Sequence, residues 1–314
     1  MREKLLKAFE KTRASVTAET GGIAIQPATF KNYYLPLIRH YLADREKKQE
    51  RPYVIGIQGC QGVGKSTLTT LIKYVLRDLD YKTEGFSIDD FYLSWPARQE
   101  LSRKYAGNAF YQISRGMPGT HRYKALIALL EKAKRGEPFD IPVFDKSLHD
   151  GKGDVTDNVV PVREHQDFLI LEGWCVDIPH VQPAAFPAIM ARNEYVDALF
   201  REVDPQCSAY KVVLGYIAAY RRIRELLDNK TVMLGKDIRW VEAWRVEQEE
   251  RMVTSKGSGM SREEVRAFVK PYIPFTWLYY DQILRNVGDI ACLLEIGWEH
   301  LPEGMRILGK AARA

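Results

Sequence analysis

The sequence has few cysteines, and none is spaced to work with another. Its 314 residues include four, at positions 60, 175, 207 and 292. They form no C-x-x-C pair and no His/Cys metal-ligand spacing, so neither a zinc site nor a disulfide framework is indicated. We therefore expect free thiols in a reducing compartment, and we interpret Cys60 as a small residue that fills a loop rather than as a redox sensor.

Long apolar runs are also missing. No stretch approaches the ~20 residues that a helix needs to cross a bilayer. The first ten residues lack the apolar centre of a signal peptide, and Glu3 and Glu10 argue against a transit peptide. The sequence therefore predicts a cytoplasmic protein that does not associate with membranes.

A concentration of charge of one sign is the third absence. The 46 lysines and arginines are nearly balanced by 41 acidic residues, which leaves a formal net charge of +5. Such a mild excess suits a polyanionic small molecule and falls short of the basic stripe that nucleic acid requires. We expect a small-molecule substrate and no nucleic-acid partner, whereas the oligomeric state cannot be read from the sequence.

The sequence does contain a phosphate-binding loop. Gly59, Gly64, Lys65 and Ser66 fill the pattern G-x-x-x-x-G-K-[ST]. The glycines allow successive backbone N–H groups to point at phosphate oxygens, Lys65 can reach the β- and γ-phosphates, and the Ser66 hydroxyl can bind Mg²⁺. We call residues 59–67 the P-loop, and its predicted nucleotide-binding residues are Gly59, Cys60, Gln61, Gly62, Val63, Gly64, Lys65, Ser66 and Thr67.

The surroundings of the P-loop support this interpretation over a glycine-rich turn with a stray lysine. The apolar run 54–57 is typical of a buried parallel strand, and apolar residues recur along 68–79 at the spacing of an amphipathic helix. We therefore predict an α/β fold, a three-layer P-loop NTP hydrolase architecture with a mainly parallel central sheet flanked by helices.

Acidic residues follow two other predicted strands. Asp89 and Asp90 come after the strand at 82–88, and Glu172 ends the apolar run 168–171. Ligands of open α/β sheets bind beyond the carboxyl ends of the strands. The aspartate pair could cap a helix, bind magnesium or act as a general base, and Glu172 could order the shell of Mg²⁺ or cap the next helix.

Two loops and one helix add further candidates. Arg115 and His121 lie in a loop of turn-forming residues and could converge on an anion. Asp145 and Lys146 are candidate substrate groups or a surface ion pair. The charged helix at about 238–254 is predicted to be a solvated face or a mobile lid whose Arg239, Arg245 or Arg251 reaches the transferring phosphate, with a flexible joint at 256–259.

Several segments together resemble the phosphoribulokinase, uridine kinase and pantothenate kinase group, and more closely D-glycerate 3-kinase and its relatives. The resemblance lies in Gly59–Ser66, Ser87–Tyr92, Arg115–His121, Pro142–Ser147, Glu172–Trp174 and Gly259–Val265. It spans most of the chain from about 50 to 275. The chain differs from the family pattern at Arg122, at Cys175-Val-Asp177 and through the stretch 175–207.

The resemblance implies an ATP- and Mg²⁺-dependent kinase that phosphorylates a hydroxyl of a small acidic metabolite, with D-glycerate as the first expectation. It implies that Asp89 takes the hydroxyl proton and that Arg115, His121 and Lys146 lie near the acceptor. With the patterns described above, the expected substrate-binding residues are Asp89, Arg115, His121, Asp145 and Lys146, and the expected metal ligands are Ser66 and Glu172. Lys65, Asp89, Arg115 and the lid residue Arg245 are the expected catalytic set.

The expected organisation is an N-terminal helical extension, residues 1–50, followed by a kinase domain, residues 51–314, with a helical lid and insert at about 228–262. Other acceptors remain open, namely a nucleoside, pantothenate or a sugar phosphate. A regulatory ATPase switch also remains open. A GTPase does not fit, because Asn229-Lys230-Thr231-Val232 lacks the aspartate of N-K-x-D.

Overall fold

The computed structural model describes residues 1–113, 115–256, 260–286 and 288–308, without the side chains of 251–256. The predicted joint is therefore undescribed at 257–259, and the side chain of the lid candidate Arg251 also lies outside the described residues. In the part of the chain that is described, no helix combines the length and the apolar character needed to cross a membrane.

The described residues include eight strands, which form two sheets. Their bounds are β1 Tyr53–Gly59, β2 Thr83–Ser87, β3 Phe139–Asp145, β4 Asp154–Val162, β5 Phe168–Gly173, β6 Asn229–Gly235, β7 Cys292–Ile296 and β8 Pro302–Ile307. The main sheet has the order β2-β5-β1-β6-β7-β8, and β3 and β4 form a separate antiparallel pair. Within the main sheet only β8 is antiparallel to its neighbour.

Helices flank the main sheet, as the predicted α/β fold requires. Their bounds are α1 Arg2–Glu19, α2 Pro27–Thr29, α3 Leu35–Lys48, α4 Lys65–Asp78, α5 Trp95–Lys104, α6 Tyr123–Lys134, α7 Leu148–Gly151, α8 Phe186–Met190, α9 Glu194–Val203, α10 Tyr210–Ala219, α11 Arg221–Glu225, α12 Trp240–Lys256, α13 Arg262–Val269 and α14 Ile273–Leu284. Every residue of β1 and β5 is buried, which explains why these strands are continuous apolar runs and not alternating ones.

The first fifty residues are tied to the rest of the chain by buried contacts. Helix α1 packs along α4, and the ring of Phe9 in α1 stacks on Phe30 with centroids 4.1 Å apart. Helix α3 reaches the sheet through Tyr41, whose hydroxyl lies 2.7 Å from Oγ1 of Thr231 in β6. The segment thus shares a hydrophobic core with the sheet.

The structure corrects one predicted boundary. The segment 228–262, predicted as lid and insert, begins with β6, which is buried in the middle of the sheet between β1 and β7. Only the residues after Gly235 lie outside the sheet. Just before β6, the chain forms the two helices α10 and α11, which are separated at Tyr220. Strand β6 was not predicted because it is short and its apolar run directly follows a helical pattern.

The buried contact of α1 gives a testable consequence for stability. Because the Phe9 side chain is 1% exposed and stacked on another ring, Phe9→Ala should lower the free energy of unfolding by about 3–5 kcal/mol. Urea unfolding should still show one transition. Lys4→Ala, at an exposed position of the same helix, is the control and should change stability by less than about 0.5 kcal/mol. A separate early transition for α1 would show that the extension folds independently.

Candidate functional site

The P-loop connects the central strand to a helix in the order that the sequence predicts. Strand β1 ends at Gly59 and α4 begins at Lys65, and Gly62 and Gly64 have φ of +77° and +97°. A Cβ at Gly62 would lie 2.9 Å from Cβ of Trp244, so glycine also permits α12 to pack on the loop. The Lys65 ammonium donates to the carbonyl of Cys60 at 2.8 Å.

A pocket of about 380 Å³ opens at the P-loop. Its walls come from several parts of the chain, namely Gly62, Gly64, Lys65, Ser66, Thr67 and Thr70 of the P-loop and α4, Glu19, Thr20 and Ile23 of the N-terminal segment, Trp244, Glu247 and Gln248 of α12, and His300. The His300 ring packs on Trp244 with centroids 4.8 Å apart, and its Nδ1 lies 3.0 Å from the Gly62 carbonyl oxygen. The loop is thus held between the N-terminal segment and α12.

The two predicted metal ligands are in contact. The Ser66 hydroxyl donates to Oε1 of Glu172 at 2.8 Å. The register of β5 brings Ser66 and Glu172 together. Glu172, at the end of β5, pairs with Ile57 of β1 on one side and with Ser87 of β2 on the other. A hydroxyl and a carboxylate are the hard oxygen donors that Mg²⁺ prefers, and this cation takes few protein ligands beside phosphates and water. The donor set therefore fits magnesium.

Within the described residues, no three His, Cys, Asp or Glu side chains are grouped so that they could hold a metal ion by themselves.

The neighbouring aspartates have different roles. Asp90 accepts from the backbone N–H of Ser87 at 2.9 Å and completes a capping box for the short 3₁₀ turn Ile88–Phe91. Asp89 instead accepts from the Tyr92 hydroxyl at 2.9 Å and pairs with the Lys146 ammonium at 2.7 Å. Of the readings left open by the sequence, the helix cap belongs to Asp90, and Asp89 is the carboxylate that lies among other functional candidates.

The same two carboxyl groups also differ in pKa. Burial raises the pKa of Asp90 to about 6, in spite of the hydrogen bond from Ser87. Burial would also raise the pKa of Asp89, but the charge and hydrogen bond of Lys146, with smaller contributions from His121 and Tyr92, hold it well below its usual range. In return, the Asp89 charge raises the pKa of Lys146. Asp89 is therefore ionised at neutral pH.

His121 lies beside this ion pair. Its ring stacks on that of Tyr92 with centroids 4.5 Å apart, and the two residues are also joined by an isolated antiparallel bridge. Burial lowers the pKa of His121 to about 4, although the charge of Asp89 acts in the opposite direction. We call Asp89, Tyr92, His121 and Lys146 the Asp89 cluster. Its histidine is neutral at physiological pH.

The loop that carries Arg115 is anchored next to the cluster. The Tyr272 hydroxyl donates to the Arg115 carbonyl, and Nη1 of Arg115 donates to the carbonyl of Gly151 at 2.7 Å. Gly116 has φ of +111°, and a Cβ there would lie 2.1 Å from the Tyr272 hydroxyl, so glycine is needed for both reasons. The charge of Arg115 acts on the pKa values of Tyr92 and Lys146, which places the guanidinium within electrostatic reach of the cluster.

Two other candidates have local partners in the structure. Asp145 ends β3 and accepts from the backbone N–H of Ser147 at 2.8 Å and from its hydroxyl at 2.6 Å. Arg245 in α12 pairs with Glu249 at 2.6 Å and lies over the ring of Phe268. Arg245 is thus engaged with its own helix rather than with the P-loop, and a role on the phosphate stays a prediction.

The aromatic residues around the site were not predicted from the sequence. Tyr92, Tyr220 and Tyr272 bond to the Asp89 cluster or to the Arg115 loop, and Trp244 and His300 line the P-loop pocket. Apart from Tyr92, these residues lie far along the chain from the groups they contact. An aromatic residue on a helix is typical of a core position, so no local signal distinguishes them.

Comparison with known proteins gives the family. No family model matches the chain. "Uncharacterized kinase mug58" of Schizosaccharomyces pombe is 30% identical over 261 residues, which are 79% of this chain and 88% of that protein. "D-glycerate 3-kinase, chloroplastic" of Arabidopsis thaliana is 29% identical over 263 residues, 79% of this chain and 54% of that protein, so this chain spans about half the length of that relative.

The fold is shared with a solved relative. The structure of D-glycerate 3-kinase from Cryptococcus neoformans superimposes with a TM-score of 0.76 at 24% identity, covering 87% of this chain and 97% of that one. The resemblance of the motifs, the six-stranded sheet and the similarity in sequence agree. The chain belongs to the D-glycerate 3-kinase-like P-loop kinases, within the group that includes phosphoribulokinase, uridine kinase and pantothenate kinase.

Proposed function

We propose that this P-loop kinase transfers the γ-phosphoryl group of ATP to a hydroxyl of a small acidic metabolite, with D-glycerate as the first candidate. One observation supports the proposal above others. The ends of three adjacent strands, β1, β5 and β2, carry the P-loop, Glu172 and Asp89 respectively. A phosphate donor at the P-loop and an acceptor at Asp89 would then meet at one edge of the sheet.

Positioning and neutralisation of charge are the main work of phosphoryl transfer. The Lys65 ammonium, now on a carbonyl of its own loop, is free to turn to the phosphates without breaking an ion pair to a carboxylate. Ser66 and Glu172 would hold Mg²⁺ directly or through water. When bound, the metal ion neutralises developing charge on the phosphate oxygens.

Asp89 is a weak base because its pKa is depressed, and this is compatible with the chemistry. In a loose transition state the acceptor hydroxyl loses its proton late, so the carboxylate acts mainly by orienting the hydroxyl and receiving the proton at the end. Lys146 would share the carboxylate with the acceptor. Its side chain is 55% exposed and can move away from Asp89 at little steric cost.

Arg115 is the candidate group for a carboxylate of the acceptor. A guanidinium offers a planar fork of N–H donors that matches a carboxylate in two parallel hydrogen bonds. Of the guanidinium nitrogens of Arg115, only Nη1 bonds to a protein group among those described, and that group is a neutral carbonyl. An acidic acceptor is therefore favoured over a neutral nucleoside.

The positions that differ from the family pattern bear on the choice of acceptor. Nε of Arg122 donates to the carbonyl of Tyr92 at 3.2 Å, so this arginine supports the backbone of the Asp89 cluster. Asp177 pairs with Arg224 at 2.5 Å, and its side chain is 4% exposed, so it is engaged in the protein interior.

Pantothenate or a sugar phosphate would be the alternative acceptors to D-glycerate, because both carry an anionic group.

A panel of acceptors tests the proposed substrate class. ADP release from MgATP should be stimulated by D-glycerate and not by uridine, because only the acid can engage Arg115. Pantothenate, ribulose 5-phosphate and a reaction without acceptor complete the panel. Slow hydrolysis that no metabolite accelerates would contradict the proposal and favour the regulatory ATPase switch.

The role of Asp89 can be separated from that of its neighbour. Asp89→Asn keeps the shape of the side chain and removes its basicity, so kcat should fall on the order of 10²-fold while the Kd for ATP is unchanged. Asp90→Asn is the matched control, because that carboxylate caps a turn and should affect thermal stability more than kcat. Full turnover by Asp89→Asn with normal ATP binding would refute the assignment.

Glu172 gives a test of the metal ligands. In Glu172→Gln the neutral amide is a poorer partner for Mg²⁺ and its water shell, so the Mg²⁺ concentration for half-maximal activity should rise about tenfold or more. Glu84→Gln, which alters a carboxylate of β2 paired with Arg77, is the control and should leave the Mg²⁺ dependence as it is. An unchanged Mg²⁺ titration for Glu172→Gln would exclude this carboxylate from the metal site.

A further inference from the structure

One ring nitrogen of His121 has a partner and the other has none. Nδ1 lies 2.9 Å from the hydroxyl of Tyr220, whereas Nε2 is buried without a hydrogen-bond partner among the described residues. The whole side chain is 2% exposed. A neutral imidazole carries one N–H and one acceptor nitrogen, so the identity of the protonated nitrogen depends on what Tyr220 can donate.

The hydroxyl of Tyr220 has a second neighbour that fixes its direction. The backbone N–H of Gly119 donates to the Tyr220 oxygen at 2.8 Å. The Tyr220 oxygen therefore accepts from Gly119, and the hydroxyl hydrogen is available to be donated to His121. If His121 carried its proton on Nδ1, the Tyr220 oxygen would accept twice and its buried hydroxyl hydrogen would have no acceptor among the described groups. Donation from the Tyr220 hydroxyl to Nδ1 gives a partner to the Gly119 N–H, to the Tyr220 hydroxyl hydrogen and to Nδ1.

The remaining proton of the imidazole then lies on Nε2. A buried N–H without an acceptor is unfavourable by an amount similar to a lost hydrogen bond, and such sites in native proteins call for an explanation. The ring that carries this N–H stacks on Tyr92, and the charge of Asp89 acts on it. The unpartnered donor thus belongs to the same cluster that the proposed function assigns to the acceptor.

The structure also explains how Tyr220 is held in place. It stands at the break between α10 and α11, and its ring packs on that of Tyr123 with centroids 5.1 Å apart. Gly119, the other partner of its hydroxyl, has φ of +100° and faces the ring of Tyr216. The tyrosine therefore connects a helix break to the loop that carries His121.

We infer that Tyr220 is a positioning residue that fixes His121 as the Nε2–H tautomer, so that a neutral N–H donor is presented to an oxygen of the bound acceptor. The inference rests on the proposed function for the identity of the site and extends it. Tyr220 does not touch the acceptor in this account and acts through His121. A neutral donor does not add a positive charge beside Lys146 and Arg115, which already supply the cations of the site.

The tautomer can be measured without any substrate. Protein labelled with ¹⁵N in its histidine rings is recorded at pH 7.5 in two-bond proton–nitrogen correlation spectra, and His121→Gln identifies the signals of His121. The expected result for the unmodified chain is a protonated Nε2 and an unprotonated Nδ1. A protonated Nδ1 in the unmodified chain would overturn the inference.

Tyr220→Phe then tests what holds the tautomer. Loss of the hydroxyl should convert the His121 signals to a mixture of the two tautomers or to the Nδ1–H form. It should also raise the KM for the acceptor about five- to tenfold, with the KM for ATP unchanged. Tyr216→Phe is the matched control, because that tyrosine packs on the same Gly119 but its hydroxyl lies 3.3 Å from that of Tyr105. The control should leave both the tautomer and the KM for the acceptor as they are.

The outcomes separate this inference from the proposed function. An unchanged tautomer in Tyr220→Phe, or an equal loss of acceptor affinity in Tyr216→Phe, would overturn the positioning role. If D-glycerate is not a substrate, the proposed acceptor fails, and the kinetic arm uses whichever acceptor of the panel is turned over. If none is turned over, the tautomer spectra of the unmodified chain and of Tyr220→Phe still decide the positioning role.

Discussion

The pairing of β5 between β1 and β2 is the constraint on which the site depends. It places Glu172 level with Ile57, two residues before the P-loop, and with Ser87, two residues before Asp89. The Ser66–Glu172 contact follows from this register, as does the position of Asp89 at the same edge of the sheet as the P-loop. Because successive side chains of a strand point to opposite faces of the sheet, a shift of β5 by one residue would turn Glu172 to the other face.

Burial and neighbouring charges set the protonation of the Asp89 cluster and of the adjacent Asp90. Lys146 keeps Asp89 ionised, burial keeps His121 neutral, and burial raises the pKa of Asp90, which is bound to its own turn. Two adjacent aspartates therefore differ in pKa and in hydrogen-bond partners because of their surroundings alone. The cluster combines one carboxylate, one partly exposed ammonium and one neutral imidazole.

Sequence patterns predicted those parts of the candidate site that depend on residues close together along the chain. The P-loop, the helix after it and the acid-ended strands β2 and β5 were read from apolar runs and turn residues, and the structure confirms the α/β fold. Strand β6 was missed because its apolar run follows a helical pattern without a break. The cap that Asp90 forms with Ser87 is local, whereas Asp89 pairs with Lys146, and Tyr220 and Tyr272 contact His121 and Arg115, all far along the chain. Spacing in the sequence carries no information on such contacts.

The central claim is that the P-loop and the Asp89 cluster form one active site. A crystal structure with a non-hydrolysable ATP analogue, Mg²⁺ and D-glycerate tests it most directly. The account predicts that the γ-phosphoryl group lies between Lys65 and Asp89, that the metal ion is near Ser66 and Glu172, and that a glycerate hydroxyl has replaced Lys146 on the Asp89 carboxylate or shares it. An acceptor bound away from Asp89, with the Lys146–Asp89 pair intact, would contradict the account.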